Sequence, residues 1–323
     1  MFSRLSETSG RHIKLTALMK RFAVALVVTG LAACAGPQST RLLEAPGAIP
    51  PSAEIVDVPF YPQEDHYCGP AAVATVLTWS GVAVTQDEIA PQVYTAAKEG
   101  SHRSDVLAAT RRHGRLALQV NTLPDLLQEV AAGNPVLVFQ NLSLAWWPEW
   151  HFAVAVGYDL PNEQIVLRSG LEERRVTDLS TFEHTWERGD YWALVVTAPD
   201  RLPSTADEKD VVLAAAAIER AGMAREAALA YNAISDQWPR NFAARMGLGN
   251  AYFALGHFAA AEHAFRQAVV VAPNRPDAWN NLAYALARQD RKHEAIEAAE
   301  RALTLADDDA KPYLATLQEV SSL

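Results

Sequence analysis

The chain has 323 residues, of which 50% are hydrophobic and 20% charged, and its formal net charge is −10 at pH 7. This composition is typical of a globular protein rather than a disordered one, and the length suits two domains with a leader. The acidic balance argues against nucleic acid as a partner, because phosphate binding requires clustered Lys and Arg. The two cysteines, Cys34 and Cys68, are too few for a common zinc site, so we expect no metal or other cofactor.

The first 33 residues have the order of a secretory signal peptide. A basic region precedes an uncharged apolar run from Phe22 to Ala33, which is too short to span a bilayer. The run ends in the sequence LAAC, from Leu31 to Cys34, which resembles a bacterial lipobox. This resemblance implies cleavage before Cys34, lipidation of its thiol and anchoring to a membrane of the bacterial cell envelope, facing the periplasm. An N-terminal membrane helix and a soluble secretory signal are the alternatives.

The next residues, 34–53, are predicted to form a tether, because Pro, Gly, Ser and Thr are frequent there. Helices followed by a sheet are then predicted over residues 54–200, and this order is typical of an α+β domain. The expected elements are a strand at 54–60, helices at 69–79, 106–113 and 123–132, a capping box at Thr85 and Glu88, and strands at 136–140, 152–158, 164–168 and 191–197.

Three residues of this region have the chemistry of a thiol-dependent site. A nucleophilic thiol requires conversion to thiolate, a base that accepts its proton, and a donor for the oxyanion that it creates. Cys68 begins an apolar helix, where free backbone N–H groups favour a thiolate. His151 begins a strand rich in valine, and Gln63 carries an amide donor five residues before the cysteine. Each of the three could instead be a structural residue.

The pattern Gln63-x4-Cys68-Gly69-Pro70, followed by an apolar helix and by His151 at a strand start, resembles the C39-like branch of the papain-like cysteine peptidases. The resemblance extends over roughly residues 55–199. It implies a papain-like α+β fold, with Cys68 as the nucleophile, His151 as the base and Gln63 as the oxyanion-hole donor.

The sequence departs from the family pattern at the third catalytic position. Members of this family commonly have Asp-Pro at the end of the strand that follows the histidine strand, and that Asp orients the histidine. The present sequence has Ser169-Gly170 at this place. Asp159 is the nearest acidic candidate for the third catalytic position, although it could instead cap the turn formed by residues 159–162.

Residues 208–323 contain a repeat of 34 residues. Ala227, Ala261 and Ala295 share this spacing, as do two prolines and two glycines. The period resembles tetratricopeptide repeats (TPR), which implies an all-α solenoid of three repeats, at 208–241, 242–275 and 276–309, with a capping helix from 311 to 320. Such arrays have a concave groove that binds a protein partner, and the residues expected near it are Asn250, Phe253, Asn280 and Tyr284. The alternative is an array that only packs on the catalytic domain.

The sequence therefore predicts an envelope-anchored cysteine peptidase that hydrolyses a peptide or protein substrate, with repeats that bind a partner or the substrate. A second hypothesis is a catalytically weak or inactive C39-like lipoprotein that binds peptides and acts as a scaffold, because Ser169 replaces the expected Asp. A third hypothesis is a hydrolase of cell-wall peptides, since the same Cys and His chemistry serves that reaction.

Overall fold

The computed structural model describes residues 36–63, 67–95, 97, 100–306 and 310–322. The predicted signal peptide at 1–33 and the predicted lipidation site Cys34 lie outside these residues. Within the described ranges, no helix is both long enough and apolar enough to cross a bilayer.

The prediction of a tether over residues 34–53 needs correction. Helix α1 (Pro37–Glu44) lies in this segment and packs on the domain that follows. The backbone N–H groups of Gln38 and Ser39 both donate to the Glu183 carboxylate, at 2.7 Å each. A carboxylate at a helix N-terminus satisfies free N–H groups and interacts favourably with the helix dipole. Glu183 is 144 residues from Ser39 in the sequence, so composition alone did not indicate this contact.

Three helices precede most of the sheet. They are α2 (Cys68–Trp79), α3 (Gln86–Val93) and α4 (Arg103–Arg112), and the short strands β2 (Tyr94–Thr95) and β3 (Gly100–Ser101) pair between α3 and α4. The predicted capping box is present, because the Thr85 hydroxyl accepts the Glu88 N–H and the Glu88 carboxylate accepts the Thr85 N–H. Helix α2 is apolar on nearly every side, and its residues from Gly69 to Leu77 are buried.

An antiparallel sheet forms the centre of this domain. In the described part of the chain it has seven strands, ordered β4-β9-β5-β6-β7-β8, with β1 paired to the far half of β6. The strands are β1 (Ser52–Glu54), β4 (Leu116–Val120), β5 (Val136–Asn141), β6 (Trp150–Asp159), β7 (Gln164–Ser169), β8 (Glu172–Asp178) and β9 (Ala193–Thr197). Helices α5 (Leu123–Ala131) and α6 (Leu179–Glu187) complete the domain.

Alternate residues of the central strands β5, β6 and β9 face two different cores, as the pleat requires. On one face Phe152 and Val154 of β6 pack with Val73 and Leu77 of α2. On the other face the alanines between them pack with helices α5 and α6. Cys68, at the start of α2, lies at the border of the first core.

The strand predicted at 54–60 is wrong beyond Glu54. The carbonyl groups of Val56 and Val58 accept hydrogen bonds from the guanidinium of Arg168, at 2.8 and 3.3 Å, instead of entering the sheet. Strand β8 was not predicted, because its sequence EERRVTD is almost entirely exposed and lacks an apolar alternation.

The rest of the chain consists of paired helices. They are α7 (Glu208–Arg220), α8 (Ala224–Gln237), α9 (Phe242–Ala254), α10 (Phe258–Val271), α11 (Pro276–Ala287), α12 (Lys292–Leu305) and α13 (Lys311–Ser322). Each of the three predicted repeats contains two of these helices, and the close helix contacts use small residues. The predicted fold class, an α+β domain followed by an all-α array, is confirmed.

The array and the sheet domain share one continuous core. Val211 and Ala215 of α7 belong to the same buried cluster as Leu116 and Leu118 of β4. Helix α7 therefore covers the strand at one edge of the sheet, which protects that edge from pairing with another chain.

Candidate active site

The Cys68 thiol lies at the first residue of α2 and is half-buried. Burial raises the pKa of the thiol above its ordinary value, while backbone N–H groups of Phe152 and Gly69 offset part of this rise. Such N–H groups stabilise a thiolate because they direct partial positive charge at the sulfur. The site thus contains the elements that activate a thiol, but burial remains the largest effect on its pKa.

Gly69 explains part of the Cys-Gly motif. A Cβ atom at this position would lie 2.1 Å from the Ser101 hydroxyl oxygen and 3.7 Å from the Phe152 ring. A contact of 2.1 Å is impossible without movement, so only glycine allows β3 to approach the start of α2 this closely. The motif therefore has a steric cause that lies next to the thiol.

His151 is the second residue of β6, and its ring is held by a hydroxyl group. Its Nε2 atom lies 2.8 Å from Oγ of Ser169, the last residue of β7. Burial, and then the positive charge of Arg175, lower the pKa of His151 to about 4. The imidazole is therefore neutral at pH 7 and has one nitrogen available as a base.

The start of β6 lies beside the start of α2. The residue after His151 is Phe152, and its backbone N–H lies beside the Cys68 sulfur. One strand thus supplies both a dipole to the thiol and the imidazole, although 83 residues separate Cys68 from His151.

Gln63 approaches the same region through the turn after β7. Its backbone N–H donates to the Gly170 carbonyl at 3.2 Å. The side chain is 8% exposed, and its Oε1 atom has no hydrogen-bond partner among the described residues. An amide oxygen is an acceptor, so this unused atom can accept a hydrogen bond from a ligand, whereas donation to an oxyanion requires the Nε2 group of the same amide. Residues 64–66, between Gln63 and the helix, lie outside the described ranges.

The prediction of Asp159 as the third catalytic residue is wrong. Asp159 ends β6, eight residues beyond His151, which corresponds to roughly 26 Å along an extended strand. Its carboxylate accepts hydrogen bonds from the backbone N–H and the side-chain Nδ2 of Asn162, at 3.1 and 2.8 Å. The alternative role, a cap for the turn at 159–162, is the one that the structure has.

Three exposed tryptophans adjoin the site. Trp146, Trp147 and Trp150 are 77%, 71% and 51% exposed, and they lie on the loop before β6 and at the first position of that strand. The Trp150 ring stacks on Phe139 with a centroid distance of 5.1 Å, and Phe139 in turn contacts Phe152 at 4.7 Å. A row of aromatic rings therefore runs from the surface to the residue beside the thiol.

No group of three or more His, Cys, Asp or Glu side chains in the described ranges is arranged to hold a metal ion. The chemical groups of this site are therefore the thiol of Cys68, the imidazole of His151, the hydroxyl of Ser169 and the amide of Gln63.

A cavity of about 360 Å³ lies in the helical array. The side chains that line it are those of Asn250, Phe253, Ala254, Phe265, Asn281 and Tyr284. Three of the four residues predicted near the groove are among them. Asn280 is not, and its neighbour Asn281 lies there instead, donating to the Asn250 side-chain oxygen at 3.0 Å.

Family models identify both parts of the chain. Residues 55–193 match the model of the peptidase C39-like family, and residues 212–261 and 248–310 match the model of the tetratricopeptide repeat. The protein therefore consists of a peptidase C39-like domain followed by tetratricopeptide repeats. No curated protein matches the chain.

Several solved structures resemble one part or the other. A putative C39-like peptidase from Bacillus anthracis is 16% identical, with 47% of this chain and 99% of that chain covered and a TM-score of 0.38. The Yersinia enterocolitica secretion chaperone SycD, in complex with a peptide of YopD, is 16% identical, with 37% and 97% covered and a TM-score of 0.35. The Sgt2 TPR domain from Aspergillus fumigatus is 21% identical, with 36% and 79% covered and a TM-score of 0.34.

Proposed function

We propose that this protein is a cysteine peptidase of the bacterial cell envelope, with a peptide or protein as its substrate. Cys68 is the nucleophile, His151 the base and Gln63 a donor to the oxyanion. The observation that carries the proposal is the meeting of α2 and β6, where the strand that contains His151 also places its next N–H group beside the Cys68 thiol.

The reaction follows from these groups. His151 takes the proton of the Cys68 thiol, and the sulfur forms a bond to the peptide carbonyl carbon while the carbonyl electron pair moves to oxygen. The Gln63 amide and the backbone N–H of Cys68 stabilise this oxyanion. The carbon–nitrogen bond then breaks, and His151 gives its proton to the departing amine. Water, deprotonated by His151, attacks the thioester, releases the acid and restores the thiol.

Hydrolysis of a fluorogenic peptide library tests this proposal. The wild-type protein is expected to cleave members of the library, and Cys68→Ala to cleave none. Cys34→Ser is the matched control, since Cys34 is the other cysteine of the chain, and it is expected to keep the activity. Equal hydrolysis by wild type and Cys68→Ala would contradict the proposal.

The protonation of the site favours a second candidate function. The raised pKa of Cys68 and the His151 pKa of about 4 mean that both groups are uncharged at pH 7. A resting thiol without a thiolate supports a peptide-binding lipoprotein with weak or absent catalysis. Alkylation of Cys68 by iodoacetamide as slow as that of a free thiol, together with peptide binding but no cleavage, is the expected result for this candidate.

The repeats are proposed to bind a protein partner or the substrate through the cavity between α9 and α11. Its lining combines aromatic rings with amide groups, which suits an extended peptide. Binding of a peptide array to wild type and to Tyr284→Ala tests this role. A large loss of binding in the variant is expected, and equal binding would contradict the proposed groove.

Anchoring through lipid on Cys34 is part of the proposal, with support from the LAAC sequence that ends an apolar run. Cells that express the protein are expected to incorporate an alkyne-labelled fatty acid into it, and to incorporate none into Cys34→Ser. Label of equal intensity in both proteins would contradict this attachment site.

A further inference from the structure

We propose that Ser169 positions the ring of His151. In catalytic triads a carboxylate has this role. This inference rests on the proposed function of Cys68 and His151. It names the third member of the set, for which the sequence indicated Asp159.

The contact between Ser169 and His151 is direct and enclosed. Ser169 Oγ lies 2.8 Å from His151 Nε2, and Ser169 is only 3% exposed. Both groups can donate in this contact, and we assign the ring N–H as the donor and Ser169 Oγ as the acceptor, which places the proton on Nε2. The lone pair then lies on Nδ1, and this nitrogen receives the proton from the thiol.

A register shift and the side chain of Arg168 define the backbone next to Ser169. The pairing of β7 with β8 shifts register between Leu167, which pairs with Arg175, and Ser169, which pairs with Glu172, so the extra residue of this bulge lies on β8, opposite Arg168. Bulges re-aim side chains and occur next to active sites. The guanidinium of Arg168 fixes the bulge, because it donates to the carbonyls of Val56 and Glu173. Arg168 itself is 6% exposed.

The turn that follows β7 holds a second member of the site. The carbonyl of Gly170 accepts the backbone N–H of Gln63 at 3.2 Å. Residues 169 and 170 therefore position the base through a side chain and the oxyanion donor through the backbone. Gly170 has φ of +60°, a conformation that side chains other than glycine rarely adopt.

A hydroxyl differs from a carboxylate in one respect that matters for the chemistry. It holds the ring orientation, but it carries no negative charge that would stabilise an imidazolium. The positive charge of Arg175, on β8, acts in the same direction because it disfavours a second positive charge on His151. The raised pKa of Cys68 and the lowered pKa of His151 both favour the uncharged forms of these groups.

Ring nitrogen NMR of His151 in the full-length protein tests the positioning without any need for hydrolysis, and His151→Gln assigns the signal. In wild type the proton is expected on Nε2. In Ser169→Ala a mixture of tautomers is expected, and Ser169→Thr, which keeps the hydroxyl, is expected to restore the Nε2 proton. Ser169→Asp is expected to raise the pKa of His151 by about 1–3 units, since an opposite charge favours the charged ring.

Ser80→Ala is the matched control, because Ser80 is also buried and donates one hydrogen bond, at 2.8 Å to the Leu77 carbonyl. It is expected to leave the His151 signals unchanged. Ser169→Ala is further expected to slow peptide hydrolysis about tenfold, the kinetic equivalent of one lost hydrogen bond.

The two measurements separate this inference from the proposed function. If the tautomers of His151 change in Ser169→Ala while the wild-type protein hydrolyses no peptide, the positioning role of Ser169 is supported and the proposed peptidase activity is contradicted. Hydrolysis that depends on Cys68, with His151 tautomers identical in wild type, Ser169→Ala and Ser80→Ala, overturns the role of Ser169 and leaves the peptidase in place.

Discussion

The C39-like site and the repeat array are organised in opposite ways. In the site, each contact joins distant parts of the chain, such as Gln63 with Gly170 and Cys68 with Phe152. In the array, each helix pair packs on the next, and the same small residues recur every 34 positions. Substitutions in the site should therefore change chemistry with little effect on stability, and substitutions in the array should do the reverse.

The largest expected effect is that of His151→Gln. Loss of the general base is expected to reduce kcat/KM for peptide hydrolysis by about 10²–10⁴-fold. His102→Gln is the matched control, because His102 is exposed and its side chain does not cap helix α4. Circular dichroism shows whether the variant remains folded. Unfolding of His151→Gln would contradict the expectation that substitutions in the site change chemistry with little effect on stability.

The next largest effect on catalysis is expected for Gln63→Ala. Removal of one oxyanion donor is expected to lower kcat by about 10²–10³-fold, because the stabilisation acts mainly on the transition state. Gln119→Ala, which removes an exposed amide on β4, should have no effect. A rise in KM at constant kcat would show that Gln63 contributes to binding and not to the oxyanion.

Glu183→Gln tests the anchor of α1. The carboxylate accepts two backbone N–H groups at the start of that helix, so its replacement is expected to reduce the free energy of unfolding by about 1–3 kcal/mol. Urea unfolding measures this change. The exposed residue Glu187, on the same helix α6, is the control, and Glu187→Gln should change stability by less than about 0.5 kcal/mol. Equal stability of the two variants would restore the tether interpretation.

Gly249→Ala tests the expectation that a substitution in the array changes stability and leaves the chemistry of the site unchanged. A methyl group there would lie 2.3 Å from the Phe265 ring, and overpacking of this kind costs about 1–3 kcal/mol. Asn250→Ala, on the adjacent exposed position, should leave stability almost unchanged. The rate of Cys68 alkylation should be equal in both variants. A changed rate would mean that the array and the site are coupled.

The smallest effect concerns Arg175. Its charge lowers the pKa of His151, so Arg175→Gln is expected to raise that pKa. The base must be neutral to accept the thiol proton, so the wild-type rate should be lost only as the pH falls toward about 4. In the variant this loss should begin at a higher pH. A pH–rate profile measures both, and a shift toward lower pH would contradict the assignment.

Local patterns predicted the features that depend on local chemistry. The 34-residue period predicted the helix pairs, and Thr85 with Glu88 predicted a cap that is present. Contacts that depend on the assembled fold were not predictable. The sequence showed a serine at 169, but its distance of 2.8 Å to His151 depends on the pairing of β6 with β7.

The same reasoning explains two of the errors, the tether before the domain and the third catalytic residue within it. A segment rich in Pro and Gly is typical of a tether, and contacts with distant residues, among them the Glu183 carboxylate and the core around Leu42, make α1 part of the domain. Asp159 was the nearest acid to His151 in sequence, whereas an extended strand carries it far from the ring.

Trapping the acyl-enzyme tests the central claim most directly. Full-length protein is mixed with a cleaved member of the peptide library, quenched in acid within the first turnover, and digested for mass spectrometry. The account predicts an acyl group in thioester linkage on Cys68, with little of it in His151→Gln. Cleavage of the peptide without any adduct on Cys68, and at the same rate in Cys68→Ala, would contradict it.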